Sequence, residues 1–421
     1  MSLRTLPRPL IGALLVFGVA LTIVAGLMVR DAQRRQRAAV PMPAPLVALT
    51  DVVYTESEVR DRDIEFYARR AHEDRQSASD RLTLATLLFR RSRIAGSATD
   101  LAQAESLARK SVSLREQRNG QAFQVLATIL MARHAFREAR DIAQRADSLE
   151  PGRASHLALL AEIELELGDY DAAATHFKAV HYDGKQFTVG ARMARWYEVT
   201  GRAEIARSIL EKAIVEVDRR DDLPREQVAW FHYRLGELHL RVGNLPLADS
   251  AFERALQRNP DDVRALGGLT RTALARRDWE RAIQYGERAT GVQLDPTTLG
   301  AVSRAYAALG DSVQAGQFAK AMSVSALAQP EVIHRAWGLF LLDHGSPAER
   351  REVLRRARRE LKERQDVYGH DLLAWALFRS GRVEEARREM ALALAQRTED
   401  VMLTAHARAI AKIPPARDAA P

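Results

Sequence analysis

Apolar positions along this 421-residue chain fall into separate regimes. Leu10 to Val29, "LIGALLVFGVALTIVAGLMV", carries no charge and only Thr22 as a polar side chain. At a rise of about 1.5 Å per residue, twenty such residues match a hydrocarbon core of roughly 30 Å, which predicts a transmembrane helix over 10–29. Arg30, Asp31, Arg34, Arg35 and Arg37 follow at once, a retained anchor's flank rather than the small-x-small site of a cleaved leader. Residues 30–55 lose the helical period and contain Pro41, Pro43 and Pro45, which reads as an extended linker. Beyond 56 a different pattern begins, in which tiny and large residues recur together. In "RVGNLPLADSAFERALQRNP", 241–260, Gly243, Ala248, Phe252, Ala255 and Pro260 stand at intervals that a lone amphipathic helix would not need.

Self-similarity explains those intervals. Ala139, Ala173 and Ala206, and again Ala248, Ala282 and Ala315, are spaced by 33 or 34 positions, with similar words around each. Two antiparallel helices joined by a short turn approach closely only where small side chains meet, here Gly236 against Ala248, while Leu235 and Phe252 fill the flanking space. Gly243 supplies the turn backbone and Pro260 stops the second helix. One hairpin cannot bury its apolar face alone, so neighbours must stack.

The clearest unit, "AWFHYRLGELHLRVGNLPLADSAFERALQRNP" from Ala229, resembles the tetratricopeptide repeat: Leu235 and Gly236 fill its seventh and eighth places, and Ala248, Phe252, Ala255 and Pro260 fill places twenty, twenty-four, twenty-seven and thirty-two. His232 and His239 depart from it, standing where the family prefers apolar residues. The resemblance implies an all-α, right-handed α-solenoid of eight or nine helix-turn-helix units over 56–395, opened by a helix over 57–74 and closed by a capping helix over 396–413. Short tails, 1–9 and a disordered 414–421, complete the chain. Three irregularities stand out. About seven extra residues separate the helices of the first unit, 82–112; "DRRDDLPR", 218–225, lengthens a connection; and Arg350 takes the place of a small residue.

Composition narrows the chemistry. With 47% apolar and 28% charged residues the chain is that of a folded protein, and 63 basic against 55 acidic residues give only +8, too mild to imply nucleic acid. Without a single cysteine, disulfides, thiolate metal sites and thiol nucleophiles are excluded. Eleven histidines show no metal spacing, and no phosphate loop, dinucleotide fingerprint or nucleophile elbow occurs. Glu162, Glu164 and Glu166 alternate around a helix and are expected to be solvated. No catalytic residue, metal ligand or cofactor is assigned.

Function is therefore expected in binding. In proteins that resemble this one, the first helix of each unit lines a concave groove that holds peptides. Carried over by place, the groove candidates are Arg195, Trp230, Tyr233, Glu237, Arg264, Arg271, Arg304, Trp375 and Phe378, with Thr128 and Glu162 at corresponding places. Arginine recurs at one place as Arg195, Arg271 and Arg304, a row suited to an extended acidic segment of a partner protein. Gly18, Thr22 and Gly26 put small groups on one face of the span, where a second copy could pack. The expected function is a non-catalytic, membrane-tethered scaffold for protein interaction or assembly; the alternative is an accessory subunit of a membrane enzyme complex in envelope or cytochrome assembly. The short N-terminal tail and the missing cysteines favour an extracytoplasmic, periplasmic solenoid, although the arginines after the span favour the reverse.

Overall fold

The computed structural model describes residues 55–328 and 333–413, and the described residues from 56 onward belong to a single compact unit. The predicted span Leu10–Val29, its small-residue face, the linker and the two tails lie outside the described residues. Among the described residues no helix is long and apolar enough to cross a membrane.

Twenty α-helices and no strand are found among the described residues. A first helix, α1 (Glu56–Glu73), precedes nine hairpins. These are α2 (Ala78–Ala95) with α3 (Ala98–Leu114), α4 (Gly120–Ala132) with α5 (Phe136–Leu149), and α6 (Ala154–Leu167) with α7 (Tyr170–Ala179). Next come α8 (Phe187–Val199) with α9 (Ala203–Asp218), α10 (Arg225–Arg241) with α11 (Leu245–Arg258), and α12 (Val263–Ala275) with α13 (Trp279–Thr290). The last three are α14 (Pro296–Ala308) with α15 (Ser312–Leu327), α16 (Arg335–His344) with α17 (Pro347–Glu360), and α18 (Val367–Arg379) with α19 (Val383–Leu394). A final helix, α20 (Val401–Ala411), follows.

The repeat alphabet has the packing role its spacing suggests. Phe252 on α11 is fully buried between two glycines, one on each neighbouring first helix. A Cβ at Gly236 would lie 2.5 Å from its ring, and one at Gly268 would also lie 2.5 Å away. Ala248 and Ala255 have no exposed surface. Within the hairpins the turn requires a left-handed residue. Gly243 supplies it at φ 82°, and His134 (φ 59°) and Arg277 (φ 61°) hold the same place in units without glycine.

The irregular units resolve differently. In the first hairpin only Gly96 and Ser97 separate the helices, so the expected insertion between them is absent. The extra residues lengthen the helices instead, to 18 and 17 residues. The connection 219–224 is the longer one expected there, between α9 and α10. In the hairpin that carries Arg350, Gly345 is extended (φ −80°, ψ 167°) and Ser346 starts α17 with a capping box to Glu349.

Hairpins far apart in sequence also touch, so the stack winds back upon itself around a lumen. Gln365 N–H donates to the Leu167 carbonyl at 2.8 Å, and Val367 N–H donates to the Tyr170 hydroxyl at 2.8 Å. Val367 is buried in the same apolar cluster as Leu157, Ala158 and Phe177. Thr398 donates to the Val199 carbonyl, and Arg137 donates to the Lys362 carbonyl at 2.6 Å. A second closure joins α1 and the first hairpin to the middle of the stack. There Arg90 pairs with Glu226 at 2.8 Å, and the Arg225 N–H donates to the Glu56 carboxylate at 3.1 Å.

Filling the gap beside Phe252 should be costly. Gly236→Leu is expected to lower stability by about 1–3 kcal/mol, as overpacking of a tight contact does, and a thermal or urea melt reads the loss directly.

Candidate interaction groove

The first helices face the lumen, and between α2 and the start of α12 they enclose a cavity of about 720 Å³. Of the sequence-predicted groove residues, Arg195, Trp230, Tyr233 and Arg264 line it, as do Thr128 and Glu162. Glu237 and Arg271 sit beside Tyr233 without lining it. Arg304 is exposed elsewhere on the surface. Trp375 and Phe378 are set apart too. They stack on each other at 5.1 Å, and Trp375 also stacks on His406 of α20 at 4.2 Å. The capping helix thus covers one face of the tryptophan that the repeat register offers to a ligand.

Electrostatics in the lumen are dense and mostly self-satisfied. Arg90, Arg93, Arg192, Arg195, Arg234 and Arg264 line the cavity, against Glu162, Glu166, Glu226, Asp261 and Asp262. Arg192 pairs with Glu162 at 2.7 Å and Arg264 with Asp262 at 2.5 Å. Arg271 is engaged by Glu237, with one contact at 3.3 Å. Two members of the expected arginine row, Arg195 and Arg271, therefore already have carboxylate partners. Arg304 has no ion pair among the described residues.

The centre of this network is Glu198. Its carboxylate is buried and meets Arg234 at 3.0 Å, Arg241 at 3.2 Å and Arg195 at 3.4 Å. Burial alone would raise its pKa, but Arg241, Arg195 and Arg234 outweigh that and hold it at about 2. Tyr368, arriving from α18 across the closure, presents its ring to Arg335, Arg241 and Arg195 at 5.1, 5.2 and 5.5 Å. Arg241 also donates to its hydroxyl at 2.6 Å. Burial and the neighbouring Glu237 push the Tyr233 hydroxyl up to about 12, so that ring offers a neutral face.

The alternating glutamates depart from the solvated role expected of them. Glu164 is buried and bonded to His176 Nδ1 at 2.7 Å, while Glu166 meets Arg364 at 3.4 Å and Arg195 at 3.6 Å. Their partners come from other helices, which a single-helix pattern does not show. His232 and His239 are both buried, and His232 Nε2 bonds to Asp218 at 3.0 Å while its Nδ1 is without a hydrogen-bond partner among the described residues. No group of three metal-ligating side chains gathers among the described residues.

Arg90, Arg93 and Glu226 escaped the sequence reading. The lengthened helices of the first hairpin obscure the groove register there, and Glu226 joins the wall only because the stack closes.

Residues 233–297, from within α10 to the start of α14, match the tetratricopeptide repeat family model. Together with the hairpin repeat on either side, that match supports the tetratricopeptide repeat superfamily. No curated protein sequence matches the chain. Among solved structures, the Cut9–Hcn1 hetero-tetramer of the APC/C is similar at 15% identity and TM-score 0.49, over 86% of this chain. This chain spans 60% of that one. PilW, a type IV pilus biogenesis factor, is similar at 19% identity and TM-score 0.41, covering 53% of this chain and 99% of its own. Pseudomonas aeruginosa PilF gives 18% identity and TM-score 0.39, over 53% and 97%.

The Glu198 cluster makes a pH-dependent prediction. Because the folded carboxyl sits at about 2 against an ordinary 4.5, its contribution is fully present above pH 4.5 and is lost as pH falls towards 2. Glu198→Gln should cost about 3–5 kcal/mol at neutral pH, as removing one partner of a buried ion pair does. The gap between parent and variant, read from urea unfolding, should then narrow between pH 4.5 and 2.

Proposed function

We propose that this chain is a non-catalytic scaffold, tethered to a membrane by Leu10–Val29, that holds an extended segment of a partner protein inside its lumen. Tetratricopeptide repeat proteins bind other proteins or peptides, and they are generally non-catalytic. One observation carries the finer reading: the 720 Å³ cavity has aromatic groups beside charged ones, with Trp230 and Tyr233 next to Arg264. Trp230 is half-buried and packed edge-on against Phe231 at 4.9 Å, so its ring is fixed in place before any partner arrives. A rigid aromatic anchor beside hydrogen-bonding charges is the composition of a binding hot spot. The tether rests on the uncharged stretch itself, and the absence of cysteine agrees with a solenoid outside the cytoplasm.

Two measurements test this reading. Proximity labelling from the full chain should mark a small, reproducible set of proteins. Trp230→Ala should reduce their capture at least about tenfold while the helical circular dichroism spectrum is unchanged. Undiminished capture would reject the lumen as the binding surface. A reporter active only outside the cytoplasm, fused after Pro421, should be active; an inactive reporter with full expression places the repeats inside.

A further inference from the structure

Among the arginines that line the cavity, one charge is unanswered. Arg192, Arg234 and Arg264 each hold a carboxylate within 3.0 Å, and Arg195 holds Glu198 at 3.4 Å. Arg90 holds Glu226 at 2.8 Å. Arg93, one turn after Arg90 on α2, has no carboxylate within ion-pairing distance among the described residues; the Phe89 ring lies 5.9 Å from its guanidinium, and Glu162 acts on it only from beyond that distance. It is open to solvent, but to the solvent of the lumen. Surrounding protein, and then Arg264 and Arg192, depress its pKa below the usual arginine range. Asp261, exposed in the connection before α12, is the lining acid without an ion pair among the described residues, and it does not reach Arg93.

The wall at this point is also the weaker of the two closures. The apolar core residues of α2, such as Leu84 and Leu88, belong to one cluster, and Phe231 and Leu235 of α10 belong to another. No buried cluster spans that contact; the two helices meet through Arg90–Glu226, whose arginine is 40% exposed, and Gly96 at the end of α2 lies against the Gln293 side chain. Pairs of that kind contribute only ~0–1 kcal/mol each. The other closure buries Val367 and adds backbone hydrogen bonds.

We propose that Arg90 and Arg93 together form the anchoring site for an acidic, extended segment of a partner protein, and that Glu226 fills half of that site from within until the segment displaces it. The proposal rests on the lumen being the binding surface. Residues three apart on a helix have Cβ atoms about 5–6 Å apart. Acidic residues two apart in an extended strand are separated by about 6.6 Å, so one such pair can meet both guanidiniums. The incoming carboxylates answer Arg93, take over Arg90 and release Glu226 to solvent. The α2–α10 contact is thereby opened as the site fills.

The probe is a fluorescein-labelled octapeptide of alternating glutamate and valine, followed by anisotropy on the full chain in detergent at about 0.15 M salt, where longer-range attraction is screened. Wild type should bind. Arg93→Gln, which removes no ion pair, should weaken binding about tenfold, equivalent to ~1.4 kcal/mol, with an unchanged melting curve. Glu226→Gln should tighten it about threefold or more. Glu253→Gln makes the same change of charge on the exposed face of α11 and should leave affinity as it was. No binding, an indifferent Arg93→Gln, or equal effects of Glu226→Gln and Glu253→Gln would overturn the proposal. If Trp230→Ala abolishes partner capture while Arg93→Gln changes neither capture nor peptide affinity, the scaffold reading stands and this inference alone fails. If neither substitution alters capture, the lumen itself is not the binding surface.

Discussion

The seating of Phe252 between Gly236 and Gly268 is the contact on which the repeat depends. Each added Cβ would stand 2.5 Å from that ring, well inside contact distance, so the first helices of neighbouring hairpins sit as near to it as backbone atoms permit. Small residues at a crossing let helices nest at short interaxial distance, and the same crossing repeated along the chain fixes a constant step between units. A constant step is what brings hairpins far apart in sequence side by side. At the firm closure, Gly168 and Gly201 again lie against backbone. A Cβ at either would be 2.3 Å from the carbonyl oxygen of Gln365 or Arg397. Tight packing within units and tight packing between turns thus use the same device.

Winding has an electrostatic consequence. The lumen gathers side chains from many first helices, and in an arginine-rich chain that concentrates cations where solvent is restricted. Two unit charges 4 Å apart interact by about 4 kcal/mol at an effective dielectric of 20, so an unmatched cluster would oppose closure. The chain answers with carboxylates on the same helices. Glu198 serves three arginines, and Glu166 serves Arg195 from α8 and Arg364 from the far side of the closure. These pairs make the inner surface nearly neutral as well as polar. In the proposed reading, specificity then rests on the few groups left open to the lumen, among them the guanidinium of Arg93 and the ring of Trp230.

Much of the architecture was legible in the sequence because its cause is local and repeated. The Gly–Ala–Phe–Ala–Pro spacing states which residues touch within a hairpin and between neighbours, and the family match covers the segment where that spacing is most regular. The groove was legible only by register. Register placed Trp230 and Tyr233 in the lumen, but it did not foresee that His406 of α20 stacks on one face of Trp375. It also counted Arg195 and Arg271 as available when Glu198 and Glu237 hold them. Those partners lie in the same helix or one unit away, at spacings that a search for a row of like charges ignores. The closures were not legible at all. They depend on the accumulated step over several units, and no pair such as Arg90 with Glu226 announces itself across 136 positions.

The two closures differ in kind, and the difference bears on what a scaffold of this shape can do. Val367 is 1% exposed within a shared apolar cluster, and its own N–H and that of Gln365 each make a hydrogen bond of 2.8 Å across the closure. Separating those surfaces would expose apolar area and leave buried polar groups unpaired, each at about 1–3 kcal/mol. The N-terminal closure has no such core, so water can replace its half-exposed ion pairs with little loss. Local openings of a native protein follow its weakest cooperative boundary. In the proposed scheme that boundary is the seam between α2 and α10, which is also a wall of the charged cavity. A continuous chain segment entering sideways needs a seam to pass through rather than a pore to thread. The structure provides one where its stabilising contacts are exchangeable with those of a polar ligand.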